Sequence, residues 1–439
     1  MHLSSSFMEL LLSLGPVMTA PTFRNWVRLL GGWLFAPRRT VTGMLIAADI
    51  AGKRHHSAFH RVFSAARWSM DALGLAILGL ALTLHPKDRP IFLSLDDTLA
   101  RKRGRKIFGV GMHHDPLLSS RKRAVLNRGH SWVVLGVVLE LPFAKGLAYS
   151  LPFFVRLYRN KQTKQLGGRY RTRPELAVVM LKKLAAAYPD RRFHVLADSA
   201  YAGRSVVAHL PEGFDFTGRI HFDAQIFARP EPRKRGRVGR PRKRGERLPS
   251  PREMLAQQTG RVLQLDIYGR REKVRVVTQD GLWHKATGSR PVRIVAVEPK
   301  TGGRKPQAFY STDLTASATE ILRRYAMRWS LEVTFHDSKQ SLGFEEPQGW
   351  TRKAVLRTGP MAMLLYSLVV IWFAKRRRKD RVAVPNRPWY MARRRASFAD
   401  MLATLKRECI DEEISSSRGR GRHIPISIKT LVVHCAGAA

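Results

Sequence analysis

The chain contains very few cysteines, and this shortage excludes some kinds of architecture. Only Cys409 and Cys435 occur among its 439 residues, both near the C-terminus. Two thiols so placed exclude a fold held together by disulfides and argue against a cysteine-based zinc site. A reducing compartment suits such a chain, so we expect a cytoplasmic protein.

Acidic residues are also scarce. The chain has 33 Asp and Glu against 78 Lys and Arg, which gives a formal net charge of +45 and an isoelectric point near 11.4. Such an excess of one charge repels itself, so the composition predicts a polyanionic partner, with nucleic acid ahead of anionic lipid. Hydrophobic residues make up 44% of the chain, which is enough to bury real cores and excludes a merely disordered basic tail.

Long hydrophobic runs are absent as well. The apolar runs Met361–Phe373 and Leu73–Leu84 are shorter than the ~20 residues needed to span a bilayer. We therefore interpret both runs as buried helices and expect no membrane partner. The first seven residues carry no basic segment ahead of the apolar stretch, so we predict no secretion signal.

The first region, residues 1–88, is predicted to be helical. Trp26, Leu29 and Trp33 recur there at helical spacing, and a stretch rich in basic residues and histidines follows at 53–61. Two interpretations carry equal weight, a small DNA-binding unit and an ordinary helical domain with a wet face. We adopt the helical N-terminal DNA-binding region as the working prediction.

Short apolar runs and one helical pattern, at about 174–188, occupy residues 89–220. The predicted strands are Pro90–Thr98, Lys106–Met112, Ser131–Leu141, Arg192–Ala200 and Gly213–Ile220. This order of strands and helix predicts an α/β layer architecture. The first of these strands ends in two adjacent acids and the fourth ends at Asp198, so acidic side chains are expected at strand ends.

A different composition begins at residue 221. Residues 221–312 are predicted to form a basic loop, Arg233–Gly245, and a β-rich insertion. The alternating patterns that predict its short antiparallel strands are Arg261–Ile267, Lys273–Thr278 and Pro291–Val297. Residues 313–375 return to the α/β core with a helix from near Ala316. Residues 376–439 form a basic C-terminal region, with a last short helix from Ser397 to about Glu408.

Four polar residues on the late helix recur at steps of three, four and seven: Tyr325, Arg328, Glu332 and Lys339. At about 100° per residue, these steps place them within roughly 60° of arc, on one narrow stripe. A hydroxyl, a guanidinium, a carboxylate and an ammonium side by side suit the gripping of phosphates around a metal-binding acid. The alternative is a solvated helix face with one Arg–Glu pair.

Three separated carboxylates are candidates for chemistry: Asp97, Asp198 and Glu332. The first two are expected at the ends of neighbouring strands and the third on the late helix. Converging carboxylates bind Mg²⁺ or Mn²⁺, and two such ions activate a water or a DNA 3′-hydroxyl. Such a reaction needs no Ser/His or Cys/His nucleophile signature. Acids also cap strands in proteins without this activity.

The segments Leu95–Thr98 and Ala197–Tyr201, together with the polar stripe, resemble the DDE transposases of bacterial insertion sequences. The closest subgroup carries a Tyr-Arg-Glu-Lys signature after a β-rich insertion. The resemblance covers about residues 20–410. It implies an RNase H-like catalytic core, interrupted between its last strand and the Glu-bearing helix by the insertion. It also implies a bacterial, nucleoid-associated location.

By the same resemblance, Asp97, Asp198 and Glu332 would be the metal-binding triad, with Mg²⁺ or Mn²⁺ and two ions expected. Tyr325, Arg328 and Lys339 (the rest of the polar stripe) would contact the phosphates of the transposon end. Asp96 stays open as the alternative first ligand, because adjacent residues of a strand point to opposite faces.

The activity implied is hydrolysis at each transposon terminus, followed by attack of the freed 3′-hydroxyl on target DNA, in a complex containing at least a homodimer. Cleavage of the second strand through a DNA hairpin is left open. Trp283 could hold a flipped base in that case, although a buried strand tryptophan is the favoured interpretation.

Two further motifs have competing interpretations. The run Val238–Arg244 resembles a minor-groove hook, so Arg240, Arg242 and Lys243 are predicted to contact double-stranded DNA, and a solvated linker is the alternative. The adjacent histidines in His113–Asp115 are interpreted as surface residues near a turn.

Overall fold

The computed structural model describes residues 2–120, 122–144, 146–161, 169–231, 240, 242–267, 270–300, 304–376 and 396–418. Its α-helices are α1 (Ser5–Leu12), α2 (Ala20–Phe35), α3 (Val41–Ala47), α4 (Ser57–Ser64), α5 (Met70–Leu82), α6 (Arg173–Ala187), α7 (Arg204–Val207), α8 (Pro251–Gln257), α9 (His284–Thr287), α10 (Ala318–Met327), α11 (Trp329–Leu342), α12 (Arg352–Lys375) and α13 (Phe398–Arg418). Its strands are β1 (Ile91–Arg101), β2 (Gly111–His114), β3 (Leu126–Glu140), β4 (Ala148–Tyr158), β5 (Phe193–Ala197), β6 (Phe214–Arg219), β7 (Ile226–Phe227), β8 (Arg247–Leu248), β9 (Arg261–Ile267), β10 (Arg270–Gly281), β11 (Val292–Pro299) and β12 (Gln307–Ser311).

One large mixed sheet organises the chain. Its strand order is β2-β3-β1-β5-β6-β12-β11-β10-β9, and β4 pairs with β3. Strands β1, β3 and β4 form an antiparallel meander, whereas β5 and β6 run parallel to β1. The predicted α/β class is therefore confirmed. Helix α6 lies against one face of the meander, and α11 and α12 lie against the other.

Two strand predictions in the first half of the core were wrong. Lys106–Met112 is strand only from Gly111 onward, because the basic segment before it contributes no apolar face. Strand β4 was missed altogether. It contains Pro152, which lacks an N–H for the ladder, and the register shifts at Leu135/Gly136, opposite that proline. The irregular pairing accommodates a residue that normally argues against a central strand.

The N-terminal helices pack into the same hydrophobic core as the sheet. Trp26, Trp33 and Leu93 are all buried within one contiguous cluster. The Trp33 indole also donates a hydrogen bond to the carbonyl of Leu342, at the end of α11 (2.9 Å). Residues 1–88 thus have no separate core in the described structure, and their role in DNA binding stays a prediction.

Strands β9 to β12 of the 221–312 region continue the main sheet, since β12 pairs with β6 along Phe309–Ser311, whereas β7 and β8 form a separate two-stranded sheet. The three strands predicted there are confirmed as β9, β10 and β11. Together with α10 they enclose a second, smaller core. Much of the basic run Arg233–Gly245 lies outside the described residues.

Helix α12 is the longest helix in the described part of the chain. It has 24 residues, and 89% of its most apolar window, with a mean hydropathy of 1.7, is buried inside the protein. Length and composition alone would let it cross a membrane, but its burial is that of a core helix. It extends the predicted run Met361–Phe373 by one polar-rich segment at its N-terminal end.

Helix α13 closes the core between α1, α2, α11 and α12. It begins as predicted, with the Ser397 hydroxyl accepting from the backbone N–H of Asp400, but it runs to Arg418 rather than Glu408. The Ser4 backbone N–H donates to the buried Cys409 Sγ (3.2 Å), so the first helix docks on the last. Cys435 lies outside the described residues, as do residues 377–379 of a second basic run, at 375–379.

A buried guanidinium fixes the turn that follows α4. Arg357, on α12, donates through Nη2 to the carbonyls of Ala66 (2.8 Å) and Trp68 (2.7 Å), and its Nη1 reaches those of Val62 and Phe63. Its guanidinium carbon also lies 4.4 Å from the Trp68 ring centre. This single side chain therefore satisfies backbone carbonyls that would otherwise be buried without donors.

We expect Arg357→Ala to lower the free energy of unfolding by about 2–4 kcal/mol, because the carbonyls of Phe63, Ala66 and Trp68 lose the Arg357 donor at once, while the carbonyl of Val62 keeps the Trp68 indole. Arg357→Lys keeps the charge but not the fork, so an intermediate loss is expected. Urea unfolding monitored by tryptophan fluorescence measures both. Lys353→Ala, which removes an exposed cation from the same helix, is the control, and an equal loss in that variant would contradict the role.

Candidate active site

Two aspartates, Asp96 and Asp198, lie side by side where the parallel ladder between β1 and β5 ends. The parallel ladder between β1 and β5 ends with Leu95 opposite Ala197. Asp96 is the next residue after Leu95, and Asp198 is the next residue after Ala197. Asp198 is half-buried and accepts a hydrogen bond from the backbone N–H of Ala200 (2.9 Å). Asp198 therefore follows the end of β5 as predicted, whereas Asp96 is not at a strand end, because β1 continues to Arg101 beside β3.

Strand alternation sends Asp96 and Asp97 to opposite faces of β1. Asp96 Oδ2 lies 2.8 Å from Arg328 Nη1 on the face covered by α11. Asp97 instead accepts the Tyr201 hydroxyl (2.8 Å) and pairs with Arg173 Nε (3.2 Å), at the start of α6. Only one of the two aspartates thus shares a face with the late helix.

Arg328 connects that aspartate with Glu332. Its Nη2 donates to Glu332 Oε1 (2.8 Å), so one guanidinium bridges carboxylates from β1 and from α11. Arg328 is only 8% exposed, and its Nε has no partner. Burial works against its charge, but Asp96, Tyr325 and Glu332 together outweigh this and raise the pKa of the guanidinium.

The acidic cluster is electrostatically strained. Burial raises the pKa of Asp96 to about 7, with the charges of Asp198 and Asp97 adding to the effect and Arg328 opposing it. Burial also raises the pKa of Asp97, against the influence of Arg173 and the Tyr201 hydroxyl. Three carboxylates therefore interact across two strand ends, which is the arrangement that a bound cation relieves.

The late helix is not continuous as predicted. It is divided at Arg328 into α10 and α11, so Tyr325 lies on one helix and Lys339 on the other. Tyr325 is 7% exposed, with its ring 4.7 Å from that of Phe309 and 5.6 Å from the Arg328 guanidinium carbon. Lys339 is half-buried near the end of α11, where burial lowers its pKa. Phosphate contacts by these residues stay predictions.

Sequence reasoning missed Tyr201 and Arg173, which hold Asp97. Tyr201 lies in the quoted segment Ala197–Tyr201, three residues after Asp198, and its spacing is the signal that could have found it. Arg173 carries no such signal, because it lies within the capping box of α6 formed by Thr172 and Glu175.

Three acids at this edge of the sheet are candidate oxygen ligands for a metal ion. Asp96, Asp198 and Glu332 offer carboxylates, the donors that Mg²⁺ and Mn²⁺ prefer. Within the described residues, no three acidic, His or Cys side chains already form a group that could hold a metal ion. The donor chemistry fits a divalent cation, while the present counter-ion of Asp96 and Glu332 is Arg328.

Other predicted contacts lie away from this cluster. Arg240, Arg242 and Lys243 are exposed. Residues 238, 239 and 241 of the same run lie outside the described residues. Trp283 is half-buried at the start of α9, with its ring 5.2 Å from that of Tyr310, rather than on a strand.

The interpretation of the adjacent histidines as surface residues was wrong for His113 and confirmed for His114. Asp115 is 1% exposed and His113 is 5% exposed, whereas His114 is exposed. Burial lowers the pKa of His113 to about 4. Alternation along β2 explains the pattern, since every second side chain points inward.

Comparison with known proteins gives two matches. The sequence model of the DDE superfamily endonucleases matches residues 13–284. A protein described as a probable transposase for insertion sequence element IS701, from Microchaete diplosiphon, is 29% identical over 168 residues. That alignment covers 38% of this chain and 40% of the relative, so the chain matches less than half of the relative's length.

The family match contains the acids of both strand ends and stops before Glu332. It also extends over more than half of the chain. Because that stretch includes β1, β5 and the paired acids at their carboxyl ends, the chain belongs to the DDE superfamily of endonucleases.

Proposed function

We propose that this protein is a transposase of a bacterial insertion sequence. It binds the terminal inverted repeats of its element, cleaves the DNA ends and joins the 3′-hydroxyls to target DNA. The observation that carries the proposal is the bridge from Arg328 to Asp96 and Glu332, beside the end of the β1–β5 ladder, where Asp198 follows β5. The similarity to a probable transposase supports the same reaction class.

The order β4-β3-β1-β5-β6 supports an RNase H-like core, with β9 to β12 as the β-rich insertion before the Glu-bearing helix. The domain boundaries 1–88, 89–220, 221–312, 313–375 and 376–439 belong to the same proposal. So does membership of the subgroup with the Tyr-Arg-Glu-Lys signature.

Asp198 and Glu332 are two of the proposed catalytic carboxylates. Sequence analysis assigned the third to Asp97 and left Asp96 open. The contacts favour Asp96, because it shares a face of β1 with Glu332 and is joined to it through Arg328. In this assignment Asp97 is a positioning residue, since its bond from Tyr201 ties the loop that follows Asp198 to β1.

These carboxylates would hold Mg²⁺ or Mn²⁺, as two ions, which supply an activated water or 3′-hydroxyl and stabilise the leaving oxygen. The chain's own contribution is to orient the acids on a rigid sheet edge and to neutralise phosphate charge. Arg328 already bridges Asp96 and Glu332, so a DNA phosphate would compete with these two carboxylates for its guanidinium, which links DNA binding to this ion pair.

The net charge of +45 supports DNA as the partner, and Tyr325, Lys339, Arg240, Arg242 and Lys243 are the proposed contacts. Joining two transposon ends requires two active sites, so a homodimer on DNA is proposed, in the cytoplasm at the nucleoid. A nuclease that cuts without joining, and a DNA-binding protein without enzymatic activity, are the competing functions.

Incubating the purified protein with Mg²⁺ and duplexes bearing the inverted repeats that flank the gene separates these functions. Glu332→Gln should lower cleavage at least about 100-fold while leaving DNA affinity nearly unchanged, because it removes a metal ligand and little of the positive charge. The control is Glu9→Gln, an exposed acid on α1. Retained cleavage in Glu332→Gln would falsify the assignment.

The two adjacent aspartates are expected to differ. Asp96→Asn should abolish cleavage as Glu332→Gln does, since it removes a proposed ligand. Asp97→Asn and Tyr201→Phe should each cause a smaller loss, because both weaken the hydrogen bond between these side chains, and the double variant should lose less than the sum of the two. Equal inactivity of Asp96→Asn and Asp97→Asn, with an additive Tyr201→Phe, would return the ligand role to Asp97.

The raised pKa of Asp96 predicts a stability that depends on pH. Between pH 4 and 7 the folded chain keeps a proton on Asp96 that the unfolded chain has lost, so this residue costs stability as the pH rises, reaching about 1–4 kcal/mol above pH 7. In EDTA at pH 8, Asp96→Asn should therefore melt higher than the unmodified protein, and the advantage should vanish near pH 4.

The matched control, Asp115→Asn, should change stability with pH in the opposite direction. The hydrogen bond from Arg101 lowers the pKa of Asp115 to about 2, so Asp115→Asn should melt lower at pH 8 and recover towards the unmodified protein near pH 2. Added Mg²⁺ should raise the melting temperature of the unmodified protein but not of Asp96→Asn. A Mg²⁺-independent melting temperature in both would count against the proposed metal site.

A further inference from the structure

The hairpin formed by β2 and the start of β3 carries an unusual concentration of exposed apolar side chains. Leu117 is 72% exposed, Leu126 60%, Leu118 56% and Met112 44%. They are four of the eleven large hydrophobic residues that are exposed in the described part of the chain. Single exposed apolar residues are ordinary, but a cluster on one projecting hairpin marks an interaction surface.

The tip of this hairpin is built around a buried carboxylate. Asp115 Oδ1 accepts the backbone N–H groups of Leu117 (3.1 Å) and Leu118 (3.4 Å). Its Oδ2 accepts from Arg101 Nε and Asn127 Nδ2, both at 2.7 Å. The hydrogen bonds of their backbone N–H groups therefore hold Leu117 and Leu118 in place while their side chains remain exposed.

Further bonds close the loop above this carboxylate. The Ser119 backbone N–H donates to the Asp115 carbonyl (3.0 Å), and the Val125 N–H donates to the Ser119 hydroxyl (2.9 Å). Ser120 and Arg123 exchange backbone bonds across the turn. A preorganised apolar tip loses little conformational entropy when it enters a partner.

Charge identifies the chemistry of that partner. Residues 101–131 contain nine Lys and Arg and one acid, Asp115, which is buried and paired with Arg101. Lys122 and Arg123, beside the leucines, are exposed. A second copy of a chain with a net charge of +45 would be repelled here. Duplex DNA matches both features, because its phosphates attract the cations and its stacked bases accept an apolar wedge.

The strand register gives the distance from Leu126, where the tip joins β3, to the acidic cluster. Val134 of β3 is the partner of Asp96, and Leu126 lies eight residues earlier on the same strand, beyond the carboxyl end of β1. At ~3.3 Å per residue the separation is roughly 25 Å. The same length along B-DNA, at 3.4 Å per base pair, is about seven base pairs.

We propose that the hairpin tip inserts Leu117 and Leu118 between base pairs of the bound DNA, about seven base pairs from the scissile phosphate. The inserted side chains unstack one base step and bend the duplex, so that phosphates on either side reach Lys122 and Arg123. The inference rests on the proposed function only in requiring that the protein binds DNA beside its acidic cluster.

The test uses the full chain and duplexes of the flanking inverted repeat with 2-aminopurine placed at successive positions. Binding should raise its fluorescence several-fold at one step, about seven base pairs from the cleavage position. Leu117→Ser/Leu118→Ser should remove this rise and weaken binding about tenfold with an unchanged salt slope, since no phosphate contact is lost. Leu117→Met/Leu118→Met should restore the rise.

Two controls separate the wedge from other roles. Leu12→Ser changes an equally exposed leucine on α1 and should leave the fluorescence rise intact. Lys122→Gln/Arg123→Gln should reduce the salt slope while keeping the rise at saturating protein. Melting temperatures of all variants should match that of the unmodified protein, because the leucines are exposed.

The outcomes distinguish this inference from the proposed function. Cleavage with no fluorescence rise at any position overturns the wedge and leaves the transposase intact. A localised rise without cleavage supports the wedge and counts against the enzyme. A serine variant that keeps the rise but changes the oligomeric state in light scattering overturns the wedge in favour of a contact between copies.

Discussion

A single guanidinium joins the two parts of the proposed active site that are most distant along the chain. Arg328 contacts Asp96 on the first strand of the sheet and Glu332 on a helix more than two hundred residues later. Both carboxylates have to meet at one point for a shared cation to bind. The fold achieves this by placing α11 across the face to which Asp96 points. In the absence of a cation, Arg328 neutralises the two carboxylates and holds them close together.

The sequence was sufficient to predict those features that depend on local pattern. The short apolar runs of β1 and β5 and the acids that follow them were recognised, although β1 continues past its acids to Arg101, and alternation predicted β9 to β11. Strand β4 was missed because Pro152 argues against a central strand when its partner is unknown. Only the pairing with β3, with a register shift at that point, shows why the proline is tolerated.

The site residues illustrate the same limit. Helical spacing placed Tyr325, Arg328, Glu332 and Lys339 on one stripe, but the break at Arg328 and the burial of Tyr325 depend on the second core beneath α10. The choice between Asp96 and Asp97 depends on which face α11 covers, and this is a tertiary fact. Local periodicity cannot contain it, since both aspartates follow the same apolar run.

The docking of the first helix on the last has a consequence for biosynthesis. Ser4 and Ser5 donate backbone bonds to Cys409 and Glu412, so contacts separated by about four hundred residues close the core. Contacts of such long range form late, because the chain between them must first be ordered. While the ribosome is still adding α13, helices α1 and α2 therefore present an uncovered apolar surface, and chaperones have a defined interval in which to bind it.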